Sequence, residues 1–168
     1  MTTHLKAGDP APEFSAVSTD GQTISLANYH GKKLVLYFYP MDDTPGCTKQ
    51  ACSLRDANAE ITARGAAILG VSAQGEESHQ RFTEKFSLNF PLLADTDLAI
   101  AKAYGVAGSG IGGLLRNIAK FSERVTFIID ETGSELSDTL KVAYSNAATT
   151  ALVSLTGQYA NLENITLA

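Results

Sequence analysis

Cys47 and Cys52 are the only two thiols of the chain, five residues apart in YFYPMDDTPGCTKQACSLRD (37–56). A thiolate can be a nucleophile, a metal ligand or half of a disulfide, so its surroundings decide which chemistry it performs. Thr44 precedes Pro45, a pairing suited to a helix cap followed by proline in the first turn. Cys47 then falls in that first turn, where backbone N–H groups have no intrahelical partner and the helix dipole favours an anion. Both effects favour the thiolate, the nucleophilic form. Placement alone marks Cys47 as a candidate reactive residue.

In an intact helix, residues five apart differ by about 140° around the axis and about 7.5 Å along it. The Cα atoms are then roughly 8–9 Å apart, beyond the 7 Å or so that a disulfide tolerates. Cys47 and Cys52 can bond only if the first turn unwinds. A spacing that forbids the bond in one state and allows it in another fits a redox cycle better than a permanent staple.

Other readings of the pair stay open at this point. Two inert, buried thiols are a common arrangement. Zinc takes about four ligands, and His4, His30 and His79 are scattered without ligand spacing. A Cys-His hydrolase needs a positioned base, and no histidine here lies in a motif that supplies one. A thioredoxin-type oxidoreductase normally shows C-x-x-C, whereas this spacing is C-x-x-x-x-C.

The elements that must position these residues alternate along the chain. FSAV and TISL flank Thr19-Asp20-Gly21-Gln22, a hairpin signal. KLVLYFY (33–39) is a continuous apolar run, as expected of a strand buried on both faces, and it stops at Pro40. A helix is predicted over about 45–64, with Ala51, Leu54 and Ile61 at helical spacing and Gly65 at its stop. AAILGVS (66–72) reads as a second buried strand. A helix over 76–87 carries Phe82 and Phe86 on one face, and Asp95 is placed to cap a short helix through Tyr104, closed by Gly105. RVTFIID (124–130), the turn Glu131-Thr132-Gly133 and SELSDTLK (134–141) read as an antiparallel hairpin, followed by a helix over about 146–158. A β-strand, helix, β-strand unit followed by a hairpin and a helix is a thioredoxin-like layout. The expected fold is α/β: a central mixed β-sheet flanked by helices, with an N-terminal β-hairpin.

With 168 residues, 44% hydrophobic and 18% charged, the chain reads as one globular domain, residues 1–168. Its net charge of −5 argues against a nucleic-acid or anionic-membrane surface. No apolar run approaches the roughly 20 residues that span a bilayer, and the N-terminal residues show no signal-peptide core. A cytoplasmic location is expected, where two close cysteines are more often catalytic or metal-binding than structural.

Pro40, Thr44 and Cys47 form P-x-x-x-T-x-x-C, which resembles the active-site motif of the peroxiredoxins. The wider YFYPMDDTPGCTKQACSLRD is similar to the peroxiredoxin Q, or bacterioferritin comigratory protein, group. The resemblance extends through GDPAPEF, LANYHGKKLVLYFYP, GVSAQ, FPLLADTD and RVTFIID, and thins over 108–121 and beyond about residue 142. It implies that Cys47 is the peroxidatic cysteine, attacking a peroxide O–O bond to become a sulfenic acid. Thr44 would offer its hydroxyl to thiolate and peroxide, and Arg124 would stabilise charge moving onto oxygen. Pro40 would shield the thiolate from water. Cys52 would be the resolving cysteine, forming an intramolecular disulfide after local unwinding. Thioredoxin or a similar dithiol would reduce that disulfide, and no metal or organic cofactor is needed. A monomer is expected. Gln50 stands where many relatives carry an acidic residue and receives no role, and Arg55 and Asp56 read as helix-surface charges.

Two competing functions remain: a protein thiol-disulfide oxidoreductase and a non-enzymatic redox sensor. The string Gly108-Ser109-Gly110-Ile111-Gly112-Gly113 contains G-x-G-x-x-G. A dinucleotide fingerprint needs a strand before it and a helix opening at it, whereas AIAKAYGVA before it reads as helix then turn. A flexible surface loop is the expectation here, and its place before Arg124 motivates the hypothesis that it borders the peroxide pocket.

Overall fold

The computed structural model describes Leu5, residues 8–108 and residues 121–133. The expected strand over 134–141, the expected helix over 146–158 and residues 109–120 lie outside the described residues.

Four strands form the main sheet: β3 (Lys33–Phe38), β4 (Ala66–Ser72), β5 (Leu92–Ala94) and β6 (Val125–Ile129), in the order β5-β4-β3-β6. (β1 and β2 belong to the N-terminal hairpin described below.) β3 pairs β4 in parallel, β4 pairs β5 in parallel, and β6 runs antiparallel to β3. β3 thus has a neighbour on each side and cover on both faces, which is why its sequence is apolar without alternation. The pleat divides that run. Val35, Tyr37 and Tyr39 face one cluster, with Ile68 and Ile128 from the neighbouring strands. Leu34, Leu36 and Phe38 face the other, with Leu69, Val71 and Phe127.

Helices α1 (Pro45–Ala63) and α2 (Glu76–Phe86) cover the first face through Cys47, Ala51, Leu54, Ile61 and Phe82. The opposite face is covered by α3 (Ala99–Ala103) and by the hairpin of β1 (Ser15–Val17) and β2 (Thr23–Ser25), which leads into a short 3-10 helix, Leu26–Tyr29. Burying one such aliphatic or aromatic side chain contributes about 1.5–3 kcal/mol. This is the thioredoxin-like fold expected from the element order.

Gly65 stops α1 in the left-handed region, φ 78°, where a side chain would be strained. Gly70 on β4 makes room for its neighbours: a Cβ there would lie 2.6 Å from Leu92 Cδ2 and 2.9 Å from Tyr37 Cε1.

Three details depart from the sequence reading. β5 was not anticipated as a strand; its three residues gain order by pairing with β4. The helix expected from Asp95 begins only at Ala99, with Leu98 as its N-cap. Asp95 nonetheless caps it: the carboxylate accepts the Ile100 and Ala101 N–H groups at 3.0 and 2.8 Å. Thr44 is the N-cap of α1, but its hydroxyl donates to the Met41 carbonyl at 3.1 Å and accepts no helix amide.

The register of β3 against β6 matters most for the site. Phe38 pairs with Val125, so β6 begins where β3 ends. Arg124, the residue before β6, therefore lies beside the exit from which Pro40 leads to α1.

Candidate active site

α1 starts at Pro45, and its first intrahelical bond runs from Thr48 N–H to the Thr44 carbonyl at 2.8 Å. The N–H groups of Gly46 and Cys47 precede that bond, as the first-turn reading requires. Cys47 is 2% exposed and packs in the apolar cluster of Tyr37, Tyr39, Ala51 and Leu54. Its neighbouring phenols carry no charge: burial pushes Tyr37 and Tyr39 well above the usual tyrosine range.

Arg124 reaches the thiol from across the sheet. Its Nη2 donates to Cys47 Sγ at 3.2 Å and its Nη1 donates to Gln50 Oε1 at 2.7 Å. Strand parity explains the direction, because Arg124 shares a face with Thr126 and Ile128, and Ile128 belongs to the α1 side. The fork of the guanidinium serves two acceptors at fixed geometry, which a lysine could not. A cation held against a buried sulfur stabilises negative charge there and on an oxygen bonded to it.

Gln50 is the neighbour of Arg124 that the sequence reading passed over. Cys47, Gln50, Ala51 and Leu54 are all buried, at the i, i+3, i+4, i+7 spacing of one helix face. A polar residue inside an apolar stripe needs a partner, and that signal was legible. Only the strand register supplied the partner's identity.

Cys52 lies about 1.4 helical turns beyond Cys47 and is half-buried, with both thiols unbonded. Both positions are inside continuous helix, so their disulfide requires the first turn to open. Pro40 is half-buried at the end of β3, and the preceding Tyr39 carbonyl accepts the Ser122 hydroxyl at 2.9 Å. Of the expected residues, Arg124 touches Cys47 directly, while Pro40, Thr44 and Cys52 lie on the same segment that leads from β3 into α1. Among the described residues, no group of three His, Cys, Asp or Glu side chains gathers to hold a metal ion.

The AhpC/TSA family model matches residues 7–134. The chain belongs to this family. Peroxiredoxin Bcp of Escherichia coli is 43% identical over 131 residues, covering 77% of this chain and 81% of the relative. The Xylella fastidiosa PrxQ structure superposes with a TM-score of 0.81 at 28% identity, covering 90% of this chain and 96% of the other. A Xanthomonas campestris bacterioferritin comigratory protein, described in terms of alkyl peroxide reduction, gives a TM-score of 0.75 at 31% identity over 84% and 89% of the two chains. The chain is a peroxiredoxin of the Bcp/Q type, and its activity is that of a thiol peroxidase.

Two further features of this peroxiredoxin correct or complete the sequence reading. Arg55 is more than a surface charge: besides Asp56, its Nη1 donates to the Phe86 carbonyl at 2.5 Å, tying α1 to the end of α2. The Gly-rich string begins at Gly108, whose N–H donates to the Phe121 carbonyl at 2.9 Å. A Cβ at Gly108 would lie 2.3 Å from the Phe121 ring. The segment before it is helix then bridge, with Ala107 opposite Ser122, and not the strand a dinucleotide site needs. The loop's two ends are thus held together two residues from Arg124, while residues 109–120 lie outside the described residues.

Proposed function

We propose that the protein reduces hydrogen peroxide and organic hydroperoxides by a two-thiol cycle on Cys47 and Cys52. The observation that carries the reading is the 3.2 Å contact of Arg124 Nη2 with Cys47 Sγ in the first turn of α1. The Cys47 thiolate attacks one peroxide oxygen along the O–O axis. The S–O bond forms as O–O breaks, Cys47 is oxidised to the sulfenic acid, and the leaving oxygen departs as water or alcohol after gaining a proton. Arg124 stabilises the charge that passes from sulfur to the leaving oxygen, with Gln50 bracing the guanidinium. Thr44 keeps its oxygen lone pairs available to a peroxide O–H while its proton is donated to Met41. Pro40 closes the site to water on the β3 side.

The first turn of α1 then opens and the Cys52 thiol attacks the sulfenic sulfur. Water leaves and the Cys47–Cys52 disulfide forms. Thioredoxin or a similar dithiol reduces that bond by thiol–disulfide exchange, its own two thiols becoming a disulfide. No second subunit is needed for an intramolecular bond, which supports a monomer.

The test mixes fully reduced protein with one equivalent of hydrogen peroxide and follows mass and free thiols by rapid quench. Loss of both thiols, a mass lighter by two hydrogens and no covalent dimer are the expected result. Thiols that persist for many minutes would instead support the disulfide-exchange or sensor reading.

A further inference from the structure

Loop 40–44, which joins β3 to α1, is held from below by a buried polar network that the peroxide chemistry does not use. Its centre is Asp42. Asp42 Oδ1 accepts the Tyr39 hydroxyl at 2.6 Å, and Oδ2 accepts the Ser78 hydroxyl at 2.7 Å and faces His79 Nδ1 at 2.7 Å. The Asp42 N–H donates to Gln74 Oε1 at 3.1 Å, and that oxygen also accepts the Ser72 hydroxyl at 2.7 Å. His79 itself is fully buried on α2, and the Asp42 side chain is 5% exposed.

The proton positions follow from the partners. His79 Nε2 lies 3.0 Å from the Leu93 carbonyl, which can only accept, so Nε2 carries a proton. Burial pushes the Asp42 carboxyl up, but the hydrogen bond and charge of His79, with the Tyr39 and Ser78 hydroxyls, outweigh it and hold the group below its ordinary value. His79 thus links the Asp42 carboxylate to the Leu93 carbonyl through its two ring nitrogens, as a buried histidine–carboxylate pair. Such a pair costs desolvation and adds little net stability over an apolar pair of the same shape, but it fixes geometry in a way that apolar contact does not. Here it fixes the residue two before Thr44 and five before Cys47, next to Asp43, which sits in the left-handed region at φ 56°.

We infer that His79 is a positioning residue for the peroxidase reaction: through Asp42 it holds loop 40–44, and with it the first turn of α1, in the peroxide-ready state, and it resists the unwinding that Cys52 needs. The inference rests on the two-thiol cycle proposed above and assigns to α2 the balance between its two steps.

The experiment measures the two steps separately, by rapid quench with hydrogen peroxide as the probe, in His79→Asn, His79→Gln and Asp42→Asn. Loss of a charge-assisted bond is expected to slow Cys47 oxidation about tenfold in His79→Gln and Asp42→Asn, with disulfide closure unchanged or faster. Asparagine places its N–H where Nδ1 was and glutamine where Nε2 was. His79→Asn, which keeps the donor to Asp42, is therefore expected to recover most of the oxidation rate despite its smaller volume. A purely packing role predicts the opposite order, because glutamine fills the space better, and that order would overturn the inference. So would oxidation at the wild-type rate in both His79→Gln and Asp42→Asn, or equal slowing of both steps. If the His79 variants do not fold, Asp42→Asn and Ser78→Ala decide by the same ratio, and Lys85→Met, which removes the exposed pair with Asp43, is the control expected to change neither step. Failure of the two-thiol cycle itself would appear in the unsubstituted protein as no disulfide after one equivalent of peroxide.

Discussion

Arg124 Nη2 donates to Cys47 Sγ at 3.2 Å across 77 positions of sequence. Removing that cation leaves the charge on sulfur and on the leaving oxygen without its nearest partner. Arg124→Ala is expected to slow the first oxidation step by about 10²–10³, the usual cost of one oxyanion-type donor. Stopped-flow consumption of hydrogen peroxide measures it. Arg124→Lys is expected to recover only part, because one ammonium cannot serve both Cys47 and Gln50.

Gln50 holds the other arm of the same guanidinium at 2.7 Å. Gln50→Leu keeps the helix face apolar and the packing close, but frees Nη1. The fold is expected to survive, with thermal unfolding near that of the wild type, and Cys47 oxidation is expected to slow about tenfold, less than in Arg124→Ala. A rate equal to the wild type's would show that Arg124 needs no brace.

The two cysteines are expected to fail differently. Cys47→Ser should abolish turnover, since an ordinary hydroxyl is a poor nucleophile at neutral pH. Cys52→Ser should keep the first peroxide reaction and then stall at the sulfenic acid or proceed to the sulfinic acid, visible as added oxygen mass. Full-rate cycling with thioredoxin in Cys52→Ser would remove Cys52 from the mechanism.

The Asp42 carboxyl is held below its ordinary value of 3.8 in the folded protein. A group depressed on folding contributes stability above its unfolded value and loses it as pH falls through the folded one. The wild type is therefore expected to exceed Asp42→Asn in thermal stability at neutral pH, with the gap closing as pH falls below about 4. Asp95, pushed up by burial against its backbone hydrogen bonds, acts with the opposite sign and is common to both proteins, so it cancels in the comparison. Melting curves of the two proteins across this range measure the gap.

Gly70→Ala tests the sheet under the site. The added methyl would meet Leu92 Cδ2 at 2.6 Å and the Tyr37 ring at 2.9 Å, forcing the ring to shift. A loss of about 1–3 kcal/mol in denaturant unfolding is expected.

Much of the architecture was legible because its causes are local. β3 and β4 appeared as apolar runs because both their faces are covered, and α1 and α2 appeared through helical spacing, α1 also through its stop at Gly65. β5 was not legible, because three residues carry no period and become a strand only through pairing with β4. The side-chain contact of Thr44 was also misplaced: cap propensity describes an average position, and here the Met41 carbonyl competes for the hydroxyl.

The sequence by itself determined where the reactive thiol stands. Thr44, Pro45 and the spacing of the apolar residues place Cys47 at the start of a helix, and helical geometry keeps it from Cys52 until the turn opens. Tertiary structure decided what surrounds that thiol. The antiparallel register of β6 on β3 brings Arg124 to Cys47 and gives the buried Gln50 its partner. The packing of α2 on the same face sets His79 beneath Asp42. These pairings depend on which strands and helices become neighbours, and that is settled by burial of the two sheet faces over the whole chain, not by any short stretch of it.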